Sequence, residues 1–293
     1  MSISPPKPRT APLKAMRAFE AAARHGSFTT AADELCVTPG AVAQQVKALE
    51  SWAGARLFER RAHGVRLTEL GAAVLPGFVN AFDSLAEAVQ SLRSRAAPEQ
   101  IRIAALPSVA QLWLSPRLPA IRASHDRLEI SVVASETPPN LKREPFDLSI
   151  FFEDVPGDPG HVEICRDSIF PVCAPHLAQR IRSPADLAEV TCLHDASWSS
   201  DWETWLQASC PDQAVDTRGP SFSLYSLMLE EACNGAGVMM GHAALVSGHI
   251  ESGSLVAPLP GVVQLERRLA IATPTTRGRV STASQVIDEL LKQ

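Results

Sequence analysis

The chain has 293 residues, too many for one ordinary hydrophobic core and about right for two domains, because single cores stop growing at roughly 250 to 300 residues. With 45% hydrophobic and 20% charged residues it is neither disordered nor fibrous, and no apolar run approaches the roughly 20 residues of a membrane-spanning helix. The net charge of −5 hides an asymmetry: residues 1–66 hold ten Lys or Arg against five acids, a head at +5, which leaves a body at −10 and places any attraction to phosphate in the head.

The first twelve residues contain four prolines and no signal-type apolar stretch, so they read as a frayed tail and the expected location is the cytoplasm. Leu13, Met16, Phe19 and Ala23 then recur at helical spacing and predict a helix closing near Gly26. Ser27 and Thr29 are cap-type residues, and Thr30-x-x-Asp33 resembles a capping box opening a short helix that ends near Leu35. Cys36 and Val37 make a tight turn. Thr38 can cap the next helix, and Pro39 suits its first position, where a missing N–H costs nothing. Val42, Val46 and Leu49 form its packing face, leaving Gly40, Ala43, Gln44 and Lys47 outside.

Residues 56–67 place a His63-Gly64 turn between short stretches of alternating Arg and apolar residues, the pattern of a hairpin. From Thr68 onward Leu75, Phe78, Phe82, Leu85, Val89 and Leu92 fall 3 or 4 residues apart, a stripe that asks for a partner helix or packs on its own domain. Pro76 should kink this helix or delay its regular part. Beyond about Gln100, strands are expected at 101–106, 128–134, 146–152, 169–174, 237–241 and 269–273. They alternate with helical patterns, which predicts a largely parallel α/β sheet. The overall fold class is α + α/β.

Two short helices joined by a three- or four-residue turn can lay the second in a major groove, and residues 28–49 have that shape. A generic helical hairpin has it too. Gln pairs bidentately with adenine, Lys reaches guanine or phosphate, and Ala meets a thymine methyl. The run LKAMRAFEAAARHGSFTTAADELCVTPGAVAQQVKALESWAGARLFERRAHGVRLTELG, residues 13–71, resembles the signature of LysR-type transcriptional regulators almost position for position.

The resemblance implies a winged helix-turn-helix over residues 1–67, with Pro39 to Leu49 as recognition helix and 56–67 as wing. It further implies a dimerising linker helix over 68–95 and an effector-binding domain over 96–293. That domain would divide into subdomain one, 96–167 plus 269–293, and subdomain two, 168–268, resembling periplasmic binding proteins. Its pieces ALPSVAQLWLSPRLPAIRA, FDLSIFF and EEACNGAGVMMG look most like the subgroup of the glycine-cleavage activator and the β-lactamase regulator. Residues assigned to DNA are Thr29, Thr30, Thr38, Pro39, Gly40, Ala43, Gln44 and Lys47, with Arg60, Arg61 and Arg66 on the wing mostly neutralising phosphates. Ala43 departs from the family, which commonly has Ser there, so the family's base readout does not transfer in detail.

For the effector, a strand ending at Leu106 delivers the chain through Pro107 and Ser108 into a helix, and ligands of open α/β sheets sit at such carboxyl ends. Ser108 and the free N–H groups there suit a carboxylate or another anion. By family analogy Ser197 and Ser223 face the same cleft, although a serine at a helix start is more often a plain cap. Trp198, Trp202 and Trp205 form a stripe that reads as core. Gly235-x-Gly237 and Gly241 look like a dinucleotide fingerprint in the wrong strand–helix order.

No cofactor, metal cluster or catalytic triad is expected, and the eight histidines read as surface or turn residues. The six cysteines lack metal spacing and read as reduced, buried, small hydrophobes. The expected partners are double-stranded promoter DNA, a small-molecule effector and further copies of the chain, as dimer or tetramer. Two other readings stay open: an α/β enzyme with a DNA-binding adaptor, and a redox sensor using Cys165, Cys173, Cys192 or Cys210.

Overall fold

The protein is described by a computed structural model covering residues 12–60, 64–97, 99–154, 160–212, 214–274 and 282–292. It divides into two compact units, residues 1–91 and 92–293.

The first unit opens with α1 (Leu13–His25), which ends at Gly26 in the left-handed conformation that glycine adopts without strain. Its core face matches the expected one in part: Phe19 is buried and Met16 and Ala23 pack against the core, but Leu13 does not. Ala15, Ala18, Phe19 and Ala22 are buried whereas Leu13 is exposed, because small side chains let the helices approach closely around Phe19. In α2 (Phe28–Leu35) the Ser27 hydroxyl accepts the Thr30 N–H, and Thr30 and Asp33 lie inside the helix instead of forming a capping box. Cys36 closes α2 at φ 53°.

Thr38 caps α3 (Pro39–Ala53) by accepting the Ala41 N–H, with Pro39 at the first turn. A two-stranded antiparallel hairpin follows, β1 (Phe58–Arg60) and β2 (Val65–Leu67), with Glu59 opposite Arg66. Of the expected His63-Gly64 turn, His63 lies outside the described residues and Gly64 stands at φ 92°. Phe58 packs against both Phe19 and Phe28 at 5.6 Å between ring centres, so the hairpin closes the same small core.

Helix α4 (Glu69–Ala96) begins ahead of Pro76, so the proline does not delay it. Thr68 joins it to the hairpin: its hydroxyl donates to the Arg56 carbonyl at 2.9 Å and accepts the Gly71 N–H at 3.0 Å. A Cβ at Gly71 would lie 2.3 Å from the Leu57 carbonyl oxygen, so only glycine permits this approach.

The second unit is built on one eight-stranded sheet, in the order β4-β3-β5-β10-β6-β9-β7-β8. In chain order β3 (Gln100–Ala105) leads through a π-type turn at Val109–Leu114 to α5 (Leu118–Ser124) and β4 (Glu129–Ala134). Next come β5 (Leu148–Glu153), the long β6 (His161–Val172), α6 (Pro175–Ala178), β7 (Cys192–Asp195) and α7 (Asp201–Ser209). The remainder is β8 (Ser221–Phe222), α8 (Tyr225–Cys233), β9 (Val238–His242), α9 (Ala243–Glu251), β10 (Val263–Ala272) and α10 (Thr282–Leu290).

The expected largely parallel sheet is found only on the flanks. β4, β3 and β5 are mutually parallel, as are β8, β7 and β9, but the central β6 and β10 pair antiparallel with each other and with their outer neighbours. These two long strands cross from one flank to the other, so the two halves share hydrogen bonds within a single sheet. β7 and β8 were missed in the sequence because runs of four and two residues carry no readable alternation.

Candidate DNA-binding and effector sites

On α3, residues advance about 100° each, so Val42, Val46 and Leu49 share one side and Gly40, Gln44 and Lys47 the opposite one. The first set is buried and the second exposed, with Ala43 half-buried at the border. Thr29, Thr30, Thr38, Pro39 and Arg66 are exposed as well. Arg61 and the side chain of Arg60 lie outside the described residues. Behind α3, Arg24 and His25 at the end of α1 hold Glu34 at 2.7 and 2.6 Å, and the Arg24 guanidinium keeps that carboxyl down to about 2. This removes one acid's influence from a basic surface.

In the second unit, the segments leaving β3, β4, β7 and β8 at their carboxyl ends converge on one cleft of about 180 Å³, with β5 contributing Phe151 and Phe152. Ser108, Ser197 and Ser223 all line it, beside Glu136, Asp195, Trp198 and Tyr225. Ser108 is 4% exposed and makes no cap hydrogen bond. Ser197 and Ser223 are exposed, Ser223 two residues ahead of α8 and not at its cap. The tryptophan stripe splits. Trp202 and Trp205 are core, donating to the Leu193 and Gly261 carbonyls, whereas Trp198 stands on the cleft.

Next to Trp198 lies a buried charge cluster that the sequence did not disclose. His242, fully buried, is expected at the surface by composition alone, yet its Nδ1 is 2.9 Å from Asp167 Oδ2 and its Nε2 is 3.0 Å from Asp201 Oδ2, the latter off the hydrogen-bonding direction. Arg267 donates to Asp167 at 2.6 Å and reaches Asp201 at 3.3 Å. It sits in an irregularity of the β10–β6 register between Gln264 and Arg268, which turns it inward. Burial alone pulls the His242 pKa down, but the two aspartates win and raise it. For Asp167, burial raises and His242 with Arg267 lowers, with a net decrease. Two carboxylates facing two cations neutralise one another, which is what allows the group to be buried.

The imidazole of His242 lies 4.0 Å from the Trp198 ring, tilted by 49°, so the cluster backs the cleft wall. Asp167, Asp201, His242 and Arg267 are far apart in sequence, and no spacing rule could have joined them. Among the described residues no group of His, Cys, Asp and Glu has the arrangement of a metal site.

Two family models divide the chain between them: a bacterial regulatory helix-turn-helix of the lysR family matches residues 13–72, and a LysR substrate binding domain matches residues 94–293. This chain belongs to the LysR family of transcriptional regulators. The glycine cleavage system transcriptional activator of Escherichia coli K12 is 35% identical over 259 residues, covering 87% of this chain and 85% of the relative. The transcriptional activator AmpR of Rhodobacter capsulatus is 34% identical over 278 residues, covering 93% and 94%. Among solved structures, the effector domain of AmpR from Pseudomonas aeruginosa superposes on 67% of this chain and 94% of its own, at 24% identity and TM-score 0.55. ArgP of Mycobacterium tuberculosis covers 95% of both chains at 18% identity and TM-score 0.56.

As a LysR regulator the protein has a helix-turn-helix head and an effector-binding body, and these relatives lend no support to an enzyme. Other motifs in this LysR chain resolve into structure. Gly235 turns at φ 82° against the His176 ring, and Gly237 passes too close to the Thr191 carbonyl for any Cβ. Cys36 is exposed, against expectation, because the left-handed turn carries its side chain outward. Burial pushes the Cys173 thiol up to about 11 and Cys192 to about 12, so both stay protonated and unreactive.

Proposed function

We propose that this LysR regulator reads promoter DNA with the outer face of α3 and is controlled by a small molecule held in the Ser108–Ser197–Ser223 cleft. The carrying observation is convergence: four carboxyl-end segments of parallel strands meet there, the position that open α/β sheets use for ligands. The three hydroxyls can donate to a carboxylate or carbonyl of the effector. At about 180 Å³ the cleft is below the ~300–1,000 Å³ of drug-sized sites, which favours a compact molecule.

In the head, Gln44 and Lys47 supply base contacts, Thr29, Thr30, Thr38, Pro39, Gly40 and Ala43 border them, and Arg60, Arg61 and Arg66 neutralise phosphates. Domain limits at 67/68 and 95/96, subdomain limits inside β6 and β10, a dimer through α4 that pairs into a tetramer, and a cytoplasmic location complete the reading. Gln44→Ala and Lys47→Ala should each weaken binding to the DNA flanking the protein's own gene by about ten- to a hundredfold with an unchanged melting temperature. Either variant unfolding, or binding the fragment as wild type does, would count against this assignment.

A further inference from the structure

The charged side chains lining the cleft are Glu136 and Asp195, both acidic, and no lysine, arginine or histidine stands among its described lining residues. Asp195 is 8% exposed. Its Oδ1 accepts the N–H groups of Ser197 at 2.8 Å and Trp198 at 3.0 Å, which fixes the carboxylate, while Oδ2 takes no hydrogen bond from the described residues. The nearly buried Ser108 hydroxyl on the same lining has no hydrogen-bond partner there either. Neither oxygen has a protein partner among the described residues, which leaves each free to bind a ligand's polar atoms.

The two cations behind this wall, His242 at 4.0 Å and Arg267 at 5.0 Å from the Trp198 ring centre, are both engaged by Asp167 and Asp201. Two cations and two carboxylates sum to zero, so Asp195 adds a net negative charge beside a neutral cluster. Trp198 meets Phe152 and Tyr225 edge-on at 5.5 and 5.3 Å, so aromatic rings border the carboxylate.

Resting on the reading of this cleft as the effector site, we propose that the effector carries a protonated amine that binds Asp195 Oδ2 beside Trp198 and Tyr225, its oxygen acceptor end meeting Ser108. An ammonium brings up to three donors and a full charge to a carboxylate that has one oxygen free, and aromatic faces attract the same cation. Burial raises Asp195 from its ordinary value, against the pull of its two N–H bonds and of His242. A simple anion would instead meet two lining carboxylates, Glu136 and Asp195, with nothing to offer either.

Calorimetric titration of the full chain with small monoamino carboxylic acids, each paired with the same acid lacking the amine, tests this. The amine-bearing member of at least one pair should bind about tenfold more tightly or better. Asp195→Asn, which keeps the Oδ1 acceptor for Ser197 and Trp198, should abolish that preference. Equal affinity within every pair, binding by none of the amines, or a preference surviving Asp195→Asn overturns the amine, and the wild-type comparison depends on no variant folding. Ser108→Ala separates the two readings. If it weakens whichever acids bind, the cleft stands even where the amine falls; if it leaves every affinity unchanged, the cleft itself is wrong.

Discussion

His242 holds its proton where water does not reach, and the cost of that burial is offset only while Asp167, Asp201 and Arg267 keep their places. Removing one member of such a group strands the others, which typically costs about 3–5 kcal/mol, far more than the group contributes over a well-packed apolar substitute. His242→Gln should therefore destabilise the effector-binding unit by about 3 kcal/mol at pH 6. The pH dependence follows from the direction of each shift. His242 binds its proton more tightly folded than unfolded, so its contribution is full below the ordinary 6.5 and disappears as pH rises through the raised value. Asp167, shifted down, contributes above the ordinary 3.8 and fails as pH falls. Thermal unfolding between pH 6 and 9 should show wild type losing stability that His242→Gln never had; parallel curves for the two proteins would refute the charged imidazolium.

Elements with a long local pattern were legible, and those made by distant strands were not. The α2–α3 pair was readable because Thr38, Pro39 and the Val42/Val46/Leu49 spacing all act within a few turns, and caps of this kind contribute about 1 kcal/mol each. Ser108 was readable as the residue at a strand's carboxyl end. By contrast the antiparallel β6 and β10 pair across about a hundred residues, and Asp195 and Trp198 line the cleft beside residues that lie far from them in sequence. In α1, a face weighted by residue size pointed to Leu13, whereas the close helix crossing selected alanines.

The stripe on α4 divides in the same way. Leu75 and Phe78 pack on the head, Phe78 at 5.2 Å from Phe19, while Leu85, Val89 and Leu92 stay exposed, Leu92 at 69%. On the proposed reading, the exposed half is the part that a second copy covers. Phe82, half-buried where the stripe turns outward, should be a seam residue, and Phe82→Asp should weaken self-association by on the order of a hundredfold, since the loss occurs twice per dimer. Sedimentation at equal concentrations checks this, and an unchanged mass would assign the stripe to packing within one chain.

At the scale of the whole molecule, the division of charge separates affinity from specificity. A head at +5 and a body at −10 confine phosphate neutralisation to the head, so a dimer brings two such surfaces to one duplex. If each head neutralises about four phosphates, roughly eight counterions are released, and affinity for a promoter fragment should fall on the order of 10⁴-fold between 50 and 200 mM salt. Exposed Arg66, opposite Glu59 on the hairpin, should act on this term alone: Arg66→Ala lowers the slope of log affinity against log salt by about one per head and weakens all sequences alike. Gln44 carries no charge, so Gln44→Ala should leave the slope intact and reduce the difference between the promoter and unrelated DNA by about ten- to a hundredfold. Measuring both variants across a salt series distinguishes the roles. A flat wild-type series, or a slope that changes with Gln44 and not with Arg66, would mean that the basic head does not meet DNA in this orientation.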